Sequence, residues 1–285
     1  MPKTPSAKLF RLIKSLSGSE KRYFKLFVQK GNGTTNKYLL LFDAIDAQET
    51  FDEGALKQII YDKKALSSRK YSELKSYLYE LILKALQAYD EKSSVDYQLK
   101  SLLLSVRSLY KRSLFDDCYA LLRKAKKLAT RYEEFATLLE IQDWEKRIAY
   151  AQTDIEFLSS TIDQIETDES TELDFLQEIV AMRTLFFKLL CHLRTSASLR
   201  RGKEREELEK RLQHLLEEEG HYRSHPFAKL QIVYYRTISL YFYAKGNFEE
   251  FFRCGKYITE LFENKADLLQ EDPSEYISTL SNVVV

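Results

Sequence analysis

Apolar positions recur at spacings of three and four residues through almost all of this 285-residue chain. That periodicity is typical of amphipathic α-helices. Glycine and proline, which interrupt helices, do not occur between Gly54 and Gly202. Because β-rich chains need turn residues every ten or so positions, the whole middle of the chain is predicted to be helical.

The clearest helical hairpin is predicted at residues 231–262. Its first helix is apolar around almost its whole circumference, so we expect it to pack between neighbours on several sides. Gly246 and Asn247 form the predicted turn, and a second amphipathic helix follows. A similar pair of helices is predicted at residues 97–110 and 115–130.

A regular alternation of three- and four-residue steps predicts one long helix from residue 141 to residue 165. Its apolar positions are Ile141, Trp144, Ile148, Ala151, Ile155, Leu158, Ile162 and Ile165. Such a seam requires a long partner, and residues 172–197 supply it after a predicted turn at 167–171. A helix at 204–219 is then predicted to end at Gly220 through a glycine cap, and Pro226 to open the next helix.

Residues 1–92 are predicted to form a separate cap of short helices and one long helix, followed by a repeat region at residues 93–285. The cap carries 17 Lys and Arg against 11 Asp and Glu, a net charge of +6, whereas the whole chain has +1. This asymmetry favours a distinct role for the N-terminal part. It is far below the basicity of a dedicated nucleic-acid module.

The two best hairpins align with each other, residues 110–117 (YKRSLFDD) on residues 243–250 (YAKGNFEE). In the second, GNFEE resembles the turn and the aromatic, acidic opening of the second helix of a tetratricopeptide repeat. Cys118 and Ala125 stand where that helix carries small residues in the family. The resemblance covers about a quarter of the chain.

The chain departs from the repeat pattern at Val106 and Phe251, where the family has small residues. The resemblance implies an all-α, right-handed α-solenoid of stacked antiparallel helical hairpins. It implies a concave groove for a peptide or a partner helix, and no chemistry. The function expected from it is that of a scaffold that binds a protein or peptide and is not an enzyme.

Asp272 and Pro273 are predicted to begin another repeat, whose first helix would occupy residues 274–285. A terminal apolar helix needs a covering partner. We therefore expect either that the repeat array continues beyond Val285 or that the last helix forms a homo-oligomer.

The sequence offers no catalytic or metal signature. No nucleophile elbow, phosphate-binding loop or cysteine-protease pattern occurs. His221 and His225 are four residues apart, but Gly220 and Pro226 are expected to break the helix that would align them. We therefore predict no cofactor. Three widely spaced cysteines imply no disulfide framework; with neither a signal peptide nor a membrane-spanning run, we expect a cytoplasmic protein.

Basic side chains at a seven-residue spacing are the candidates for a peptide-binding groove. Lys229, Arg236 and Tyr243 share one helix face, and Lys100 and Arg107 repeat the spacing on the earlier hairpin. They suit the carboxylates of an acidic or C-terminal peptide. The alternative is that they are solvated charges.

A second hypothesis is a transcriptional regulator whose N-terminal helices contact DNA. Lys63, Lys64, Arg69 and Lys70 cluster where a short helix is followed by a turn and a long helix. A helix–turn–helix reader uses basic side chains at the start of its second helix. The apolar continuation of that helix favours a plain helical cap instead, so we expect no nucleic-acid partner.

Overall fold

The computed structural model of the chain describes residues 7–29, 36–61, 68–90, 94–194, 202–271 and 273–284. Every regular element in these ranges is an α-helix, with no strand among them, so the all-α prediction is confirmed. The chain divides into two compact units, Met1–Gln98 and Leu99–Val285. The border predicted at residues 92 and 93 lies outside the described residues.

In its described residues the first unit contains five helices, and the unit border lies within a sixth. They are α1 Lys8–Ser15, α2 Gly18–Gln29, α3 Asn36–Ala47, α4 Glu53–Tyr61, α5 Ser68–Asp90 and α6 Val95–Tyr110. Helix α3 is central, because α1, α4 and α5 all pack against it, and α2 packs on α5. The rings of Phe24 and Phe42 lie 4.6 Å apart in a core that buries Ile13, Leu41 and Ile82 completely.

The second unit continues with nine helices in its described residues. They are α7 Phe115–Arg131, α8 Phe135–Gln152, α9 Ile155–Arg194, α10 Gly202–Glu217, α11 Glu219–Arg223, α12 Ala228–Lys245, α13 Phe248–Asn264, α14 Ala266–Glu271 and α15 Pro273–Val284. Helices that follow each other in sequence pack on each other: α7 on α8, α8 on α9, α12 on α13 and α13 on α14. Helix α15 packs on both α13 and α14. Helix α9 packs on α12, and α10 and α11 also contact α12. This order of contacts is compatible with a helical repeat.

Four turns of the second unit share one backbone geometry. Ser113, Glu133, Thr153 and Gly246 each adopt a left-handed conformation, with φ of 57°, 55°, 56° and 74°. The next residue in each turn donates its N–H to the carbonyl five residues back, at 2.8–3.2 Å. This is the Schellman arrangement that ends a helix and reverses the chain. The first three turns recur every 20 residues, so α7 and α8 are nearly equal in length.

The prediction of one long helix at residues 141–165 is wrong. Helix α8 ends at Gln152, the chain turns at Thr153, and α9 then runs without a break through the predicted turn at residues 167–171. Asp154 starts α9 by accepting a hydrogen bond from Phe157 N at 2.9 Å. The apolar seam therefore belongs to two helices that face each other across a tight turn. The three- and four-residue spacing continues across this turn because the turn is so short.

The helix predicted to end at Gly220 also ends differently. Helix α10 stops at Glu217, and Gly220 lies inside the short helix α11 rather than in a left-handed cap. The hydroxyl of Tyr234 on α12 donates to the carbonyl of Leu215 at 3.1 Å, and its ring stacks on Tyr222 at 4.2 Å. These contacts attach α10 and α11 to α12, and they are long-range contacts that a local cap rule does not include.

The turn between α7 and α8 supplies the N-terminal cap of α12. Phe227, at the cap position, has no side-chain hydrogen bond to the helix. The carboxylate of Glu133 takes that role by accepting from Ala228 N at 3.0 Å and Lys229 N at 2.7 Å. Only 7% of Glu133 is exposed. The positive end of the helix dipole therefore stabilises a buried negative charge.

Three ion pairs join the same regions. Lys265, after α13, donates to Glu133 at 2.7 Å. Arg131 forms two hydrogen bonds with Asp267 on α14, at 2.7 and 2.5 Å, and Lys229 pairs with Glu134. The α7–α8 turn is thereby tied both to the start of α12 and to the end of α13.

We predict that Glu133→Ala lowers the free energy of unfolding of the second unit by about 2–3 kcal/mol. The substitution leaves two helix N–H groups and the Lys265 ammonium without their buried acceptor. Urea unfolding followed by fluorescence will measure it, since Trp144 on α8 is the single tryptophan of the chain.

The matched control is Glu134→Ala. Glu134 is the adjacent carboxylate and pairs with Lys229, but 29% of its side chain is exposed. Partly exposed ion pairs contribute little, so we expect a loss below about 1 kcal/mol. Equal losses for the two variants would show that Glu133 does not act as the cap of α12.

Candidate partner-binding cavity

The α12–α13 hairpin forms as its sequence predicts. Gly246 takes the left-handed conformation that ends α12, and Asn247 caps α13 by accepting from Glu250 N at 3.2 Å. Eleven of the 18 residues of α12 are buried, because α9, α10, α11 and α13 all contact it. The prediction of a helix enclosed by its neighbours is confirmed.

A cavity of about 320 Å³ lies between α9, α12, α13 and α15. Its walls are largely apolar, with a few hydroxyl groups and two charged side chains. The lining residues are Phe186, Arg236, Ser239, Leu240, Phe251, Gly255, Ile258, Glu275, Ser278 and Thr279. Apolar walls with a small number of polar groups are typical of ligand-binding sites in proteins.

The two charged residues of the cavity form an ion pair. Arg236 of α12 pairs with Glu275 of α15, and its guanidinium lies 5.8 Å from the centre of the Phe186 ring. The side chain of Arg236 is 39% exposed and that of Glu275 is 17% exposed. A guanidinium with an aromatic ring on one side and a carboxylate on another is held in a fixed orientation.

Two of the five predicted groove residues belong to this region. Arg236 lines the cavity. Tyr243 is 52% exposed, and its ring lies 5.5 Å from that of Phe251, which lines the cavity. Lys229, in the first turn of α12, pairs with Glu134. Lys100 and Arg107 are exposed residues of α6 and are not among the lining residues.

Sequence reasoning missed the contributions of α9 and α15 to the cavity. Neither Phe186 nor Glu275 was predicted to line a binding site. The available signal for Glu275 was its position in the first turn after Pro273, where carboxylates favour a helix start. Its pairing with Arg236, 39 positions earlier, has no local signature.

The basic residues of the DNA hypothesis are only partly described. Arg69 and Lys70 are exposed on the first turn of α5, and Arg69 Nε donates to Glu73 at 2.9 Å. Lys63 and Lys64 lie outside the described residues. The described part therefore shows a solvated helix start with one internal ion pair.

The histidines and cysteines have structural surroundings. The rings of His221 and His225 lie 5.7 Å apart, closer than the predicted helix break implied. His225 Nδ1 accepts from Phe227 N at 3.2 Å, and burial lowers the pKa of His225. Burial also raises the pKa of the Cys254 thiol to about 12. In the described ranges, no group of three or more His, Cys, Asp or Glu could hold a metal ion.

A buried polar cluster lies between α7, α8 and α9, away from the cavity. Burial raises the pKa of Glu172 to about 7, and the nearby Asp168 carboxylate also acts to raise it. Burial likewise raises the pKa of Glu145, although Lys126 opposes the shift. Glu172 Oε2 and both amide atoms of Gln142 are buried without a hydrogen-bond partner among the described residues.

Comparison with known proteins gives no match: no family, no curated protein and no solved structure resembles the chain significantly. None of the helices described here combines the length and apolar character that crossing a membrane requires.

We predict that Glu172→Gln stabilises the second unit at pH 8 and leaves its stability almost unchanged at pH 5. The folded protein holds the Glu172 proton more tightly than the unfolded chain, whose pKa is near 4.5. The contribution of Glu172 to the free energy of unfolding is therefore fully present below about pH 4.5 and is lost as the pH rises through 7. We expect a gain on the order of 1 kcal/mol, measured by urea unfolding at both pH values.

The control is Glu166→Gln, which removes an exposed carboxylate of the same helix. Its effect should be small and similar at the two pH values. A Glu172→Gln variant with the same pH dependence as the wild type would contradict the assignment.

Proposed function

We propose that this chain is a non-enzymatic, tetratricopeptide-repeat-like scaffold that binds a protein or peptide partner in the cavity between α9, α12, α13 and α15. The observation that carries the proposal is the oriented guanidinium of Arg236 among apolar walls. A partially exposed cation beside aromatic side chains suits a carboxylate attached to an apolar group. Peptides with an acidic residue, or with a free C-terminus, have this chemistry.

The size of the cavity limits what it binds. Ligand sites typically enclose about 300–1,000 Å³, and this one has about 320 Å³. It therefore accepts one side chain or chain end of a partner rather than a large cofactor. The exposed Tyr243 and Phe248, whose rings lie 6.1 Å apart, extend the apolar surface beside it.

Glu275 has a competing role in this proposal. Its carboxylate already forms an ion pair with the Arg236 guanidinium, and a carboxylate of the partner would form the same kind of pair. A guanidinium has five N–H donors in a planar fork, so it can donate hydrogen bonds to a second carboxylate on its exposed side. Glu275 thus orients Arg236 and also lowers its affinity for an acidic partner.

The repeat-like order of the helices supports a scaffold. Four turns share one geometry, three of them join helices that pack on each other, and α10 and α11 interrupt the series before α12. None of the three cysteines forms a disulfide. Cysteines outside disulfides are typical of reducing compartments, which favours the cytoplasm as the site of action.

We predict opposite effects for substitutions at the two ends of the ion pair. Arg236→Gln should weaken partner binding by about 10-fold or more, because it removes the charge that meets the carboxylate. Glu275→Gln should strengthen it, since the guanidinium loses its internal competitor. The measurement is affinity capture from native lysate with the full chain, followed by titration of the captured partner by calorimetry.

The matched control is Arg147→Gln, which removes an exposed arginine from α8, where it pairs with Asp143 within the helix. It should leave binding unchanged. Ser278→Phe places a large side chain on the cavity wall and should block binding without changing any charge. A partner retained equally by all four variants would place its site elsewhere.

Nucleic acid as the only captured species would favour the regulator hypothesis instead. In that case Arg69→Glu with Lys70→Glu should abolish capture, and raising the salt concentration should weaken binding steeply.

A further inference from the structure

One face of α9 exposes apolar side chains along the whole helix. Exposed fractions are 64% for Ile155, 39% for Ile162, 54% for Leu173, 57% for Val180 and 59% for Phe187. An α-helix turns about 100° per residue, so these five residues lie within a sector of about 40°. The exposed thiol of Cys191 continues the same line. We call these six residues the α9 stripe.

The α9 stripe is separate from the face that α9 presents to the core. Ile179, Met182, Leu185 and Leu189 are buried on the other side of the helix, where α8 and α12 pack. Helix α9 is therefore apolar on two faces, and only one of them has a partner among the described residues of the second unit. A helix of this kind normally packs on both sides.

The charges of α9 are divided between its two halves. Residues 155–174 carry no Lys or Arg and seven carboxylates, namely Glu156, Asp163, Glu166, Asp168, Glu169, Glu172 and Asp174. Residues 175–194 carry Arg183, Lys188 and Arg194 and one carboxylate, Glu178. Two such helices repel each other when they are parallel, and they attract each other when they are antiparallel.

We propose that the α9 stripe binds the α9 stripe of a second copy of this chain, with the two helices antiparallel about a two-fold axis. Antiparallel pairing places the acidic half of each helix beside the basic half of the other. It also buries the same apolar surface on both copies, as a closed two-fold interface requires. The interface does not use the cavity, so the proposal is independent of peptide binding.

One register matches four of the six residues of the α9 stripe. With the axis at Thr171, Ile155 lies opposite Phe187 of the second copy, and Ile162 lies opposite Val180. Lys188 then lies within about two residues' rise of Glu156 of the second copy, on the same flank. Near the axis, Leu173 lies opposite Glu169 of the second copy, and Glu166 lies within one residue of the position opposite Gln177.

The first test is the molar mass of the full chain in solution, measured by light scattering after size exclusion. We expect twice the 33.6 kDa of one chain and a dimer that dissociates on dilution. Val180→Glu with Phe187→Glu should weaken the dimer at least about 100-fold, because it buries four carboxylates in the interface. The helical circular dichroism should be unchanged, since both side chains are exposed.

The control carries the same charge change outside the stripe. Leu104→Glu with Ile277→Glu alters two apolar residues that are 63% and 61% exposed on other helices, and its dimer should persist. A wild-type chain that stays monomeric up to about 100 μM, where even weak specific pairs associate, would overturn the proposal. So would a dimer that only the control disrupts, which would assign the interface to α15 or α6.

Cross-linking tests the direction of the helices. In the antiparallel dimer the two Cys191 thiols are about 60 Å apart, at 1.5 Å per residue. A short bismaleimide should therefore not link wild-type chains. It should link a Leu173→Cys, Cys191→Ser variant, because the two new thiols lie near the axis. Cys118 and Cys254 are buried, so they should not react with the reagent. Cross-linking of wild-type chains through Cys191 would show a parallel pair and contradict the charge argument.

Discussion

The second unit depends on a carboxylate that is buried at the end of a helix. Glu133 occupies a left-handed turn position, where a side chain costs about 1 kcal/mol relative to glycine. The other turns of this type use Ser, Thr or Gly. The cost at Glu133 is offset because only a long acceptor reaches the free N–H groups of α12 and the ammonium of Lys265. The depth and direction of α12 follow from that contact, and so does the position of Arg236 along the cavity.

Local sequence rules predicted the elements whose ends are determined locally. The Gly246-Asn247 turn formed as expected, because a left-handed glycine and an asparagine cap act within one turn of the helix. The break at Thr153 and Asp154 was missed, although Asp154 is a good cap residue. Its signal was hidden because the apolar spacing runs evenly across a turn of only two residues, and threonine is an unusual left-handed residue.

The candidate site was less predictable than the fold. Seven-residue spacing identified Arg236 and Tyr243, which do lie at or beside the cavity, but the same spacing also selected Lys229, whose ammonium pairs with Glu134. Spacing shows which residues share a helix face, whereas it does not show what lies opposite that face. Phe186 and Glu275 come from helices that are distant in sequence, so their contribution is visible only in three dimensions.

The equal spacing of the left-handed turns has a consequence for how this chain tolerates changes in length. Ser113, Glu133 and Thr153 are separated by 20 residues, so α7 and α8 each span the same number of residues from turn to turn. One inserted residue in α7 would turn everything after it by about 100° and point the Glu133 carboxylate away from α12. Insertions and deletions of single residues within α7 and α8 should therefore be poorly tolerated.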